Sequence, residues 1–300
     1  MDIDRTAGAA LQPEIALPQP ANEERFDPVP TPVRLLTLDE GAKRVQRDHE
    51  ALKGDELWQG DVYDPFKPDE VPIPIYLRVG PVAPLVAELL CAVVARALGL
   101  PAPEPFVVLV EPGLLSSSVL LDPTMRHLCV GTRDIGGTTF AQLLLADSAT
   151  AVQLIKNWSH LVPVTALDEW LANPDRNMGN ILYVAQTLHI IDHAEAFGGS
   201  VRKLFPLAEI TEDALANKLA LVLNDPNANQ RQIYLNQAKE WLTFTAGQLN
   251  VSAVVAMAEI SRWQTAEEEV ELVHFITNRL TIAHRLLCNR LGHPQLALSI

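Results

Sequence analysis

The sequence predicts an α+β fold in two unequal parts: a small sheet-containing part over residues 33–115 and a larger, mostly helical part over residues 116–300, behind an extended arm over residues 1–32. Three observations carry this reading. Runs of β-branched and aromatic residues are confined to the first third of the chain and to one later hairpin. Helical spacing with stop signals dominates the remainder. Pro13, Pro18, Pro20, Pro28, Pro30 and Pro32 crowd the N-terminus among acidic residues with little to bury, which forbids helix there.

In chain order, Val33 to Gly60 is charged and weakly helical in pattern. Val71 to Val79 reads as a strand entered through Pro72 and Pro74 and ended by Gly80. Pro84 opens a helix that stops at Gly99, backed by Pro101, with Leu85, Leu89, Val93 and Leu98 on one face. Phe106 to Val110, between Pro105 and Pro112, is a short buried strand. Short helices are expected over Thr138 to Ala146, Ala149 to Ser159 and Leu167 to Ala172. Ile181 to Val184 and Leu188 to Ile191 then flank Ala185 to Thr187 as a small β-hairpin. The last long helix starts at Thr265, an N-cap followed by Glu267, Glu268 and Glu269, and runs to Gly292.

Composition narrows the function classes. A content of 48% hydrophobic residues over 300 positions is ample for a packed core. The formal charge of -14 repels phosphate backbones and anionic bilayers, which argues against direct nucleic-acid or membrane partners. Cys91, Cys129 and Cys288 are far apart and form no paired motif, so neither a disulfide framework nor a zinc cage is indicated, and a reducing cytoplasm fits. The greasiest stretch, Pro81 to Leu100, is interrupted by Glu88 and Arg96, each disfavoured in a bilayer by roughly 2.5–3.5 kcal/mol. No signal peptide or transmembrane helix is read.

Chemistry concentrates between Asp168 and His193. Pro174 disfavours helix at Asn173, so Asp175 lies on a loop after a helix. Asn180 stands at the entry of the hairpin and Asp192 at its exit, and a hairpin brings its ends together. Two hard oxygen donors facing a common point suit magnesium, which takes one or two carboxylates with amide and phosphate oxygens. Asp175, beside that pair, can orient an attacking hydroxyl and accept its proton. The interval from Asp175 to Asn180 to Asp192 agrees with the kinase spacing of base, metal-binding asparagine and metal-binding aspartate. Arg176 reads either as a structural ion pair or as a residue positioning phosphate or the loop, and His193 as a packing or hydrogen-bonding residue rather than a metal or acid-base group.

At Asp168-Glu-Trp170, Asn173-Pro-Asp175-Arg176-Asn177, Gly179-Asn180-Ile-Leu182 and Ile190-Ile-Asp192-His193-Ala-Glu-Ala-Phe197-Gly198, the chain resembles the HipA-like kinases, an atypical branch of the protein-kinase-like superfamily. The resemblance covers about residues 71 to 200. It implies a bilobal fold with ATP bound between the lobes, Asp175 as catalytic base, and Asn180 and Asp192 as magnesium ligands. Glu88 falls where the family has its helix glutamate, partner of a phosphate-binding lysine. That lysine's strand position is held by Arg78, and no lysine occurs between Lys67 and Lys156. Gly131-Thr-Arg133 is similar to a Gly-Ser-Arg segment of these proteins, which places Arg133 near nucleotide phosphates. The implied activity is ATP- and magnesium-dependent phosphorylation of a protein Ser or Thr, with an antitoxin-type protein partner in some relatives. Arg78, and the lack of a Gly-rich loop ahead of its strand, imply the alternative of a pseudokinase serving as a nucleotide-binding or regulatory module.

Overall fold

The computed structural model describes residues 32–46, 54–120, 122, 124–198, 206–207, 215–224 and 227–292. The proline-rich arm, apart from Pro32, lies outside the described residues.

Six strands, β1 (Leu35–Leu38), β2 (Lys43–Val45), β3 (Glu56–Tyr63), β4 (Ile73–Val79), β5 (Pro105–Val110) and β6 (His127–Arg133), form one sheet in the order β1-β5-β6-β4-β3-β2. β1 pairs in parallel with β5 and antiparallel with β3, so five of the strands close into a small barrel with β2 attached outside. Alternation along each strand fills the interior: Leu36 and Leu38, Trp58 and Val62, Ile75, Leu77 and Val79, and Phe106, Val108 and Val110 form one buried cluster. Gly131 belongs to the same crowding, because a Cβ there would come within 2.8 Å of both Ile75 Cδ1 and Val108 Cγ2. β6 lies past residue 115, the expected end of the N-terminal part, and still belongs to the barrel.

The weakly helical expectation for residues 33–60 is corrected: β1, β2 and β3 occupy it among the described residues. Trp58 and Val62 turn inward while Gln59 and Asp61 are exposed or half-buried, a period of two. Pairing with β4 and β5 decided the conformation, and intrinsic propensity did not.

Tyr76 and Arg78 point to the outer face, opposite to Ile75 and Leu77. That face meets α1 (Val82–Ala97), which is buried almost all round because it packs the barrel on one side and the helices on the other. Those helices are α2 (Phe140–Ala146), α3 (Ser148–Asn157), α4 (Leu161–Trp170), α5 (Ala220–Leu223), α6 (Ala228–Phe244), α7 (Val251–Met257) and α8 (Ala266–Arg290). α4 begins before the expected Leu167, since Pro163 falls in a first turn where its missing N–H costs nothing. α8 starts as expected at Thr265, which forms a reciprocal capping box with Glu268. Trp170 Nε1 donates to the Ile276 carbonyl at 2.7 Å, fixing α4 on α8.

A second sheet, β7 (Thr138–Thr139), β8 (Ile181–Val184) and β9 (Thr187–Ile190), carries the hairpin. Its turn is two residues long, Ala185 and Gln186, both at positive φ (46° and 69°). No helix of the described residues is long and apolar enough to cross a membrane.

Candidate active site

The loop after α4 is built from its own side chains. Asn173 donates through Nδ2 to Asp168 Oδ1 (3.0 Å) and accepts from the Asp175 N–H through Oδ1 (3.2 Å), which turns the chain at Pro174. Asn177 caps the turn Met178–Asn180 by accepting from Gly179 N–H at 2.7 Å. Asn180 Nδ2 donates to the Asp175 carbonyl (2.8 Å), so its amide is held beside the loop that carries Asp175. The Asn180 carbonyl in turn accepts from Ile191 N–H (3.1 Å), and the hairpin thus returns the chain to Asn180 just before Asp192.

Arg176 ties these pieces together. Fully buried, it donates through Nε to Asp168 Oδ2 (3.2 Å), through Nη1 to the carbonyls of Asn180 and Ile191, and through Nη2 to His193 Nδ1 (2.8 Å). Burial and the neighbouring Arg176 cation hold His193 well below the usual histidine range, so it is neutral, and it accepts at Nδ1. Its Nε2 is buried without a partner among the described residues. The ring is packed into the hub beside Arg176. For Asp168, burial raises the carboxyl more than Arg176 lowers it.

Asp192 sits in the left-handed region (φ 56°), a strain characteristic of functional turns. It is held there from the barrel side. Arg78 Nη2 donates to Asp192 Oδ1 at 2.7 Å and lies 3.7 Å from Glu88 Oε2, and Nη1 pairs with Asp55. Glu88 Oε2 also accepts from His193 N–H (2.7 Å), which couples α1 to the turn. Burial alone would lower the Arg78 pKa, but Asp192, Glu88 and Asp55 outweigh it and the pKa is raised. Burial pushes the Glu88 carboxyl up, against the pull of Arg78 and with the help of Asp192.

A cavity of about 430 Å³ opens between the barrel and the second sheet. Leu57, Val130, Leu182 and Ile191 give it apolar walls, and Arg78, Glu88 and Asp192 give it one charged end. The link Asp134–Gly137 forms its edge; Gly137 (φ 91°) is pressed so closely on the hairpin that a Cβ would meet the Tyr183 carbonyl oxygen at 2.5 Å. Arg133 lines the wall, but its guanidinium is turned to Glu104 at 2.7 and 3.1 Å and does not join the charged end.

The structure therefore ties Asn180 to the Asp175 loop and Arg78 and Glu88 to Asp192 at the end of the cavity, with Arg176 bridging the two groups, and leaves Arg133 at the side. Two residues that the sequence did not single out join them. Asp55, just ahead of β3, completes the ring around Arg78, and Lys218 donates to Asp175 Oδ1 at 2.5 Å. Neither belongs to a local motif; only pairing of β3 with β4 could have signalled Asp55.

A loop carboxylate with an amide beside it and, across the hairpin, a second carboxylate bound to an arginine-glutamate pair at the end of a cavity are set on a mixed α and β scaffold. The sequence profile of the HipA-like kinases matches residues 79–249, more than half of the chain. The chain belongs to the HipA-like kinase family. The match begins one residue past Arg78 and includes Glu88, Asp175, Asn180 and Asp192. No curated protein matches. Among solved structures, that of a Helicobacter pylori proinflammatory kinase, CtkA, aligns over 77% of this chain and 91% of that one at 9% identity, with a TM-score of 0.46.

Proposed function

We propose that this chain is an ATP- and magnesium-dependent phosphotransferase acting on a Ser or Thr hydroxyl of a protein substrate. The observation that carries the reading is the bond of Asn180 to the Asp175 loop, together with Asp192, at the exit of the same hairpin, lining the charged end of the cavity. In this reading the fold is bilobal, the barrel and α1 forming the small lobe and the second sheet and remaining helices the large one, with nucleotide in the cavity between them. The apolar walls receive the base, and Arg78, held against Glu88, faces the phosphates.

The donor set fits magnesium. Asn180 is oriented by its Nδ2 bond to Asp175, which leaves the hard amide oxygen for another partner, and Asp192 adds a carboxylate. Magnesium takes one or two protein oxygens and completes its shell with phosphate oxygens and water. Bound magnesium would supply neutralisation of charge on the transferring group. Asp175 orients the acceptor hydroxyl and takes its proton; Arg176 keeps the loop and both hairpin ends in register.

Labelled ATP with candidate protein substrates tests this, with Asp175→Asn as control: transfer by the native chain and loss in the variant are expected, and equal transfer by both overturns the assignment of Asp175. A second reading, a nucleotide-binding regulatory module, is favoured by the arginine at position 78 and its three carboxylate partners. It expects ATP-magnesium to raise the melting temperature without turnover. The cytoplasm is the proposed compartment, consistent with three buried free cysteines. An antitoxin-type protein is the proposed partner, to be sought by co-purification.

A further inference from the structure

Lys218 reaches the proposed catalytic base from 43 residues away in sequence, with Nζ 2.5 Å from Asp175 Oδ1. The backbone that carries it is seated from behind. Asn217, buried, donates through Nδ2 to Glu169 Oε2 (3.1 Å) and to the Thr165 carbonyl (3.0 Å), while its Oδ1 accepts from Ala220 N–H (3.2 Å) at the start of α5. Glu169, also buried, is gripped by Arg290 at the end of α8 through Nε (2.9 Å) and Nη2 (3.1 Å). Leu219, on the other side of Lys218, is fully buried. A buried polar relay from α8 through α4 on one side and apolar burial of Leu219 on the other thus fix the neighbours of a lysine whose own side chain is 47% exposed. An ordinary surface ion pair contributes little and needs no such seat.

The charge arrangement gives the lysine a task. On the other side of the site Arg78 is occupied by Asp55, Glu88 and Asp192, so its cation is largely spent within the protein. An ammonium has three N–H donors, and the bond to Asp175 uses one. We propose that Lys218 is a catalytic lysine of the transfer site, holding Asp175 with one N–H and meeting the oxygens of the transferring phosphoryl group with the others. This rests on the phosphotransferase reading. In the step it serves, the acceptor oxygen forms the new bond to phosphorus and its proton passes to the Asp175 carboxylate. The bond from phosphorus to the diphosphate oxygen of the nucleotide breaks, and that oxygen keeps the electron pair. Lys218 fixes the base and stabilises negative charge on the phosphoryl oxygens during the transfer.

The test compares the native chain with Lys218→Met, Lys218→Arg and Asp175→Asn, reading kcat, KM for ATP, melting temperature, and the affinities for ATP-magnesium and ADP-magnesium. Lys218→Met is expected to lower kcat by about 10²–10³-fold, the size seen when one charge-stabilising donor is removed. Melting temperature and ADP-magnesium affinity stay unchanged, the preference for ATP over ADP is lost, and Lys218→Arg keeps an intermediate rate. Turnover at or above the native level in Lys218→Met, beside an inactive Asp175→Asn, overturns the inference and leaves the phosphotransferase reading standing. Native-like transfer by Asp175→Asn overturns that reading instead. Should the native chain transfer nothing to any acceptor, the affinities decide: an ATP preference that Lys218→Met abolishes supports the contact, and a preference that is absent or unchanged overturns it.

Discussion

Two arginines are buried at the site, and they are buried on opposite terms. Arg176 has one carboxylate partner, Asp168, and spends its remaining donors on two carbonyls and a neutral imidazole, so its surroundings are close to electroneutral. Arg78 stands among three carboxylates, Asp55, Glu88 and Asp192, and its surroundings are short of positive charge. Burial raises the Glu88 carboxyl, with Asp192 adding to it and Arg78 opposing it. A closed electrostatic unit holds a shape, whereas an open one is completed by something that comes from outside. The difference separates the residues that build the loop from those that face the cavity, and it favours a cation as part of the ligand.

Removing each arginine in turn sharpens the contrast. Arg176→Met leaves Asp168 buried and unpaired and is expected to cost about 3–5 kcal/mol in denaturant unfolding, with magnesium making no difference. Arg78→Met leaves Asp55 and Glu88, 3% and 7% exposed, without that cation and is expected to cost a similar amount, about 3–5 kcal/mol. Magnesium at millimolar concentration should return part of that loss. A magnesium effect of equal size in both variants would break the distinction between closed and open units.

The two units also differed in how far the sequence announced them. Asn173 to Asp192 encodes its loop, turn and hairpin within one short stretch, through Pro174, Asx turns and alternation of the flanking strands, so local rules reach it. The hub role of Arg176 needed the hairpin closed, because two of its partners are carbonyls at Asn180 and Ile191. The Arg78 unit draws on Asp55, Glu88 and Asp192, which meet only when β3 has paired with β4 and α1 has docked on the barrel. Residues 33–60 misled for the same reason: β1 becomes a strand because β5 and β3 flank it, and that partnership leaves no local trace.

Protons provide a gentler probe of the closed unit. Burial and Arg176 place the folded-state pKa of His193 well below the model-compound value of 6.5, so the unfolded chain binds a proton that the fold refuses. The resulting stability is fully present above about pH 6.5 and is lost as pH falls toward the folded-state value, with a slope of at most about 1.4 kcal/mol per pH unit. The raised carboxyls of Glu88 and Asp168 act in the opposite sense, their contribution being lost as pH rises through their folded-state values. His193→Asn keeps an acceptor for Arg176 and removes the titration. Subtracting its unfolding free energy from that of the native chain at several pH values isolates the histidine; a difference that does not change between about pH 7.5 and 5.5 would show that His193 titrates normally in the fold.

The smallest expected effect concerns the hairpin that joins Asn180 to Asp192. Ala185 and Gln186 both adopt positive φ in its two-residue turn, a conformation that costs an L-residue about 1–2 kcal/mol and that Asn-Gly adopts readily. Glycine gives back part of the gain as chain entropy, so Ala185→Asn with Gln186→Gly should stabilise the fold by only about 0.5–1 kcal/mol. The turn is exposed and separated from the charged end by both strands, so the change bears on the site only through the register of Ile181 with Ile190. If that register sets the approach of Asn180 to Asp192, the variant binds ATP-magnesium at least as tightly as the native chain, as read by calorimetric titration. Weaker binding in a better-folded protein would mean that the two ends of the hairpin need play, and that the local half of the site is less closed than its hydrogen bonds suggest.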